Sequence, residues 1–154
     1  MPFRIPQITE EAINAHVDEI LQWDVSGTWK NDVIGWRTEI LEKMDKGELE
    51  NYLPFQIACV RAGGMVFFFT QGEPFNEYQT ILHDSKPDAS VLFVAYTNGQ
   101  NSYLPSKHAF QVDAYEYEKE QMHIYIKAPY PLSDSMPEVY ESAAKQLLNA
   151  AIHR

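Results

Sequence analysis

With 154 residues, 45% of them hydrophobic, the chain is long enough to bury roughly two thirds of its unfolded surface in one globular domain spanning residues 1–154. Its 22 acidic against 12 basic side chains leave a formal net charge of -10, which repels a polyphosphate backbone and excludes nucleic acid as an expected partner. The single cysteine, Cys59, rules out an internal disulfide. No apolar run approaches the ~20 residues of a membrane helix, and the N-terminus lacks the charged and apolar regions of a secretory signal. A cytoplasmic, reducing setting is the default expectation, with secretion expected only for a longer parent that carries a signal.

In chain order, Thr9 is placed to cap a helix that opens with Glu10 and Glu11 and repeats Ile13, Val17, Ile20 and Leu21 on one face. A second helix is expected over about residues 30 to 46, with Val33, Trp36, Ile40, Leu41 and Met44 in period and Gly47 as the stop. Both helices precede every strand signal. From Phe55 the period changes: "FQIACV" and "MVFFFT" flank the glycine turn "RAGG", which predicts a β-hairpin with Cys59 in its first arm. "PFNEYQTILHDS" returns to helix, with Pro74 expected in its first turn, and "SVLFVAYT" reads as a strand buried on both faces. Strand, helix and strand in that order make a βαβ unit.

"TNGQNSYLPSKHAFQ" reads as a polar loop with Asn98-Gly99 at its tip, and "QMHIYIKAPYPLSDS" as a short strand running into a proline-rich bend. Ser135-Met136-Pro137-Glu138 fits a capping box, and Tyr140, Ala143, Ala144, Leu147, Leu148 and Ala151 form one apolar face of a final helix. The expected fold is α/β: a central mixed sheet with a β-hairpin and a βαβ unit, flanked by N-terminal helices and a C-terminal helix.

The strong chemical motifs are missing: no glycine-rich phosphate loop, no His-Glu-x-x-His, no Cys-x-x-Cys and no Gly-x-Ser-x-Gly elbow. What remains is two polar loops, "TQGEPF" and "YTNGQNSYLP", each at the carboxyl end of an apolar strand. In a βαβ unit those ends share one edge of the sheet, so Glu73 and the loop from Asn98 to Tyr103 are expected to converge. A carboxylate beside a phenol suits a hard or borderline metal.

"GEPFNEY", then "VLFVAYTNGQNSYLPSKHAF", then "YEYE" resembles the carboxyl-terminal part of the catalytic domain of neutral/alkaline non-lysosomal ceramidases, most closely their bacterial homologues, over about residues 55 to 118. The resemblance implies a zinc-dependent hydrolase of N-acyl amides such as ceramide, with Glu73 and Tyr103 as zinc ligands. It also matches Asn98 to the asparagine that opens the tyrosine loop, Gly72 to the glycine before the glutamate ligand, and Tyr115-Glu116 to a further Tyr-Glu pair. Gln71 stands where the family has proline, and Gln100 where ceramidases have an additional tyrosine. The family's two zinc histidines and its proposed catalytic serine fall in a half of the domain outside these residues.

Each of these residues has a plainer reading. Glu73 fits a helix start, where a carboxylate gains ~0.3–1 kcal/mol from the dipole. Tyr103 fits an aromatic that packs a loop on the sheet. The five histidines, His16, His83, His108, His123 and His153, show no ligand spacing and read as solvated or capping. Ser106 and His108 lie too close in a loop to act as a nucleophile and base, the phenylalanine run reads as core, and Glu116, Glu118 and Glu120 as a solvated acidic face.

Two functions compete. One is a ceramidase-like zinc amidohydrolase portion, inactive alone and completed by an upstream catalytic half, with an acyl-amide lipid as substrate. The alternative is a non-catalytic domain that keeps the fold and binds a partner, a second copy of itself included.

Overall fold

Thr9 begins α1 (Glu10–Gln22): its hydroxyl accepts the Ala12 amide at 3.2 Å, satisfying a donor that a helix start leaves without an intrahelical partner. Helix α2 (Thr28–Asp45) ends where glycine permits a left-handed residue, with Gly47 at φ 68. The Gly47 amide returns to the Met44 carbonyl at 3.0 Å and the Glu48 amide to Lys43 at 2.8 Å, the paired bonds of a Schellman stop. The two helices bury Ile13, Val17 and Ile20 against Val33, Trp36 and Ile40. This is a computed structural model, and it describes residues 2–4, 7–22, 27–99, 103–112, 123–124, 126–129 and 132–153. Gln100, Tyr115, Glu116, Glu118 and Glu120 lie outside the described residues.

The chain has an α/β fold. Its central sheet is mixed and three-stranded, in the order β3 (Ile57–Ala62), β4 (Met65–Thr70), β6 (Ser90–Val94). Strands β3 and β4 form the expected hairpin, with Cys59 opposite Phe68, and Gly63 turns the chain at φ 60. Strand β6 joins β4 in parallel through α3 (Glu77–Ser85), which makes the βαβ unit. Helix α5 (Met136–Ile152) crosses the same face as α3, and Phe55, Phe68, Tyr78, Leu82, Leu104, Tyr140 and Leu148 close one core beneath them. Removing water from side chains of this size stabilises by ~1.5–3 kcal/mol each. The Tyr140 hydroxyl inside this core donates to Thr70 at 3.0 Å.

Four expectations are corrected. A short strand precedes the helices: β1 (Pro2–Arg4) pairs antiparallel with β2 (Tyr52–Pro54). Strand β6 is apolar but not buried on both faces, since Leu92 is 46% exposed. The expected strand near residue 123 is, in its described residues, a helical turn closed by Ala128 N to His123 O at 2.9 Å. Its register is held by the Trp36 indole donating to Ala128 O at 2.8 Å and by Ile124 entering the α1–α2 core. The capping box does not form, because the Ser135 hydroxyl bonds Ser133 at 2.6 Å and Glu138 pairs with Lys107 at 2.8 Å.

His123 also departs from the solvated reading. It is buried, lies edge-on to Trp36 and sits with Nε2 3.1 Å from Nε2 of His16. Burial, with a smaller contribution from His16, pushes its pKa down to about 3. Folded His123 is therefore neutral where the unfolded chain takes up a proton, so stability falls as pH drops below the unfolded value near 6.5. Between that pH and the carboxylate range near 4.5 this one group contributes a loss of up to ~1.4 kcal/mol per pH unit. Urea melts at steps through this window check the slope, and His123→Leu should flatten it.

Candidate functional site

Because β4 and β6 run parallel, both chains leave the sheet at the same edge. Gly72 turns the first at φ 67, a conformation a side chain would strain. Its amide donates to Gly99 O at 3.1 Å, and its carbonyl accepts the Tyr96 amide at 3.1 Å. The Thr97 amide reaches back to Thr70 O at 2.9 Å. The loop after β6 is thus latched, backbone to backbone, onto the turn after β4.

Beyond the latch a second, two-stranded parallel ribbon forms, β5 (Glu73–Pro74) on β7 (Tyr103–Leu104), with Glu73 and Tyr103 register partners. The Phe75 amide continues the pairing to Leu104 O at 3.1 Å. Glu73 is therefore a strand residue, and α3 starts only after Asn76, so neither the helix-start reading of Glu73 nor Pro74 in a first helical turn holds. The cause lies in the pairing: Tyr103–Leu104 offers backbone partners on both sides of Pro74, whose missing N–H costs nothing at an edge.

The expected polar loop also has structure of its own. Ser106 caps α4 (Lys107–Gln111), accepting the Ala109 amide at 3.2 Å, and donates to Glu77 at 2.8 Å. Tyr78 donates to Pro105 O at 2.7 Å, which pins the segment between β7 and α4 to α3. Ser106 is buried in this capping role, its hydroxyl committed to Glu77 and the Ala109 amide, while His108 is exposed.

Glu73 and Tyr103 line one cleft of about 480 Å³, with Phe75, Glu77, His108 and Val112. Asn98 is elsewhere. At φ 61 it lines a separate hollow of about 280 Å³ with Gln56, Ala58 and Phe69, and its side chain donates to Gln56 at 3.4 Å. Gly72 is buried and contributes through the latch rather than by lining the cleft. Gln71, in the position that departs from the ceramidase pattern, is buried and braces the Asn98 loop. Its Oε1 accepts the Gln56 amide at 2.7 Å and its Nε2 donates to Asn98 O at 3.2 Å.

Sequence reasoning missed Tyr96. Its φ is 57, an outlier for a bulky residue, and its phenol lies beside the Glu73 carboxylate. Interaction with the Glu73 carboxylate pushes the Tyr96 pKa up to about 12. The signal was an aromatic residue placed between an apolar strand and a Thr-Asn-Gly turn, past the end of the strand. Glu73 thus lies beside Tyr96 and shares its cleft with Tyr103, oxygen donors of the kind that suit hard cations. Among the described residues no group of three or more His, Cys, Asp or Glu side chains is placed to hold a metal. By itself this set does not make a catalytic zinc centre, which takes three protein ligands of which imidazole or thiolate supply most.

Two outcomes check this geometry. Glu73→Gln should bring the Tyr96 phenol back towards its ordinary value near 10, followed by carbon NMR of labelled tyrosine through an alkaline titration with Tyr96→Phe as the assignment. Gln71→Leu, which strands the Gln56 amide and the Asn98 carbonyl, should cost about 1–3 kcal/mol in urea melts.

Compared with protein-family models, curated proteins and solved structures, the chain matches none.

Proposed function

We propose that this chain carries the glutamate and tyrosine side of a ceramidase-like zinc site for hydrolysis of an N-acyl amide, and that it is inactive until histidine ligands are supplied from outside the residues described. The observation that supports the reading is the β5–β7 register, which sets Glu73 beside Tyr103 at the edge of one cleft although they lie far apart in sequence. Zinc, when bound in such a site, supplies a polarised carbonyl or an activated water. The chain's own residues do the holding. Glu73 offers the anionic oxygen and Tyr103 a phenol, with Tyr96 beside the carboxylate to orient it.

Two oxygens give too little of a tetrahedral shell to retain zinc, so zinc should be lost on dialysis of the isolated chain. Free imidazole replaces the absent histidines in the test. With Co²⁺ as a spectroscopic stand-in for zinc, added imidazole should produce a protein-dependent visible band in the wild type that is lost in both Glu73→Gln and Tyr103→Phe. A band that survives either substitution, or no protein-dependent band at all, contradicts the proposal.

A further inference from the structure

The register of the central sheet sorts its residues cleanly between two faces. Ile57, Cys59, Val66, Phe68, Val91 and Phe93 share the face under α3 and α5. The alternate residues make the other face: Val60, Met65, Phe67, Phe69, Leu92 and Val94, together with two alanines and a serine. Val60, Met65 and Leu92 are 52%, 44% and 46% exposed, and Phe67 stacks on Phe69 at 6.3 Å between them. Among the described residues of the three strands, no charged one falls on this face. A sheet with one wet side alternates apolar with polar residues, whereas these strands are apolar on both sides, the pattern of a sheet covered twice.

We propose that this face is a self-association surface, on which a second copy of the chain packs sheet against sheet about a two-fold axis. Charge selects the occupant. Each chain carries a formal net charge of -10, so two copies meeting elsewhere oppose like charges. The described strand residues of this face include no carboxylate to recruit a basic partner and no cation to recruit an acidic one. An identical, uncharged, twisted sheet is its own complement, stacking at the ~10 Å spacing of packed sheets. Area sets the strength. Three strands ~4.8 Å apart and five or six residues long present roughly 250–300 Å², well under the ~800 Å² per partner of a standard stable interface. The dimer is therefore weak and reversible, and because charge repulsion opposes it, added salt strengthens it.

Sedimentation equilibrium of the full chain, from about 5 to 500 μM at low and at ~0.5 M sodium chloride, reads both features. The expected result is a monomer–dimer equilibrium in the upper part of that range, at least threefold tighter in high salt. Leu92→Glu should weaken it at least tenfold with unchanged far-UV circular dichroism. Should that variant fail to fold, Val60→Glu on the opposite edge strand serves the same purpose. A wild type that stays monomeric at every concentration and salt overturns the proposal. A dimer indifferent to the folded charge variants does so too, as does a monomer whose face binds an apolar dye in a Leu92-dependent way, which would assign the surface to a different partner.

Discussion

Everything at the candidate site hangs on the backbone latch between the two strand-end loops. Three hydrogen bonds, from Gly72 to Gly99, Tyr96 to Gly72 and Thr97 to Thr70, join segments that the βαβ crossover has already brought to one sheet edge. With the loops joined, the β5–β7 ribbon has its partners in place, and Glu73 comes to lie near Tyr96 and in register with Tyr103 as a result. The latch also accounts for the conformations it contains. Gly72 takes its positive φ without strain, whereas Tyr96 and Asn98 hold theirs against side-chain sterics, at a cost of order 1 kcal/mol each. Strain of that kind persists only where neighbouring contacts overdetermine it, and here the latch and the buried Gln71 amide do so.

The latch is in turn supported from below. Thr70, which receives the Thr97 amide, also accepts the Tyr140 hydroxyl, so the C-terminal helix and the site loop meet on one buried residue. Tyr78 plays the matching part on the other side, packing edge-on to Tyr140 at 4.6 Å while donating to Pro105 O. Burial pushes both phenols far above their ordinary range, so they stay protonated donors. The core beneath the sheet and the polar site at its edge are thereby one connected structure, while His123 and Trp36 belong to the separate core of the α1–α2 pair.

Long periodic elements were legible because each carries its own signal: Thr9 and Gly47 bound the first two helices, Gly63-Gly64 fixes the hairpin, and the apolar runs at Phe67 and Val91 fix the βαβ unit. The convergence of Glu73 and Tyr103 followed from that topology alone. What escaped were elements of two to five residues. Strands β1, β2, β5 and β7 are too short to show a period and exist only because a distant segment offers backbone partners. Pro74 was read as a helix start and is a strand residue, since a strand edge tolerates its missing N–H equally well. Ser135 looked like a cap yet its hydroxyl prefers Ser133, whereas Ser106, read as loop, is the cap that forms. The role of Tyr96 depends on the sign of one backbone angle, which composition does not encode.

The central claim is that the two loops are latched rather than merely adjacent. Amide hydrogen exchange read residue by residue tests it directly, because exposed loop amides exchange freely while bonded ones wait for an opening event. The Gly72, Tyr96 and Thr97 amides should exchange as slowly as those of β4, and in Gly72→Ala, which strains the turn, the protection of Tyr96 and Thr97 should fall together. Rapid exchange of the Tyr96 and Thr97 amides in the wild type, with β4 protected, would contradict the latch and with it the convergence of Glu73, Tyr96 and Tyr103.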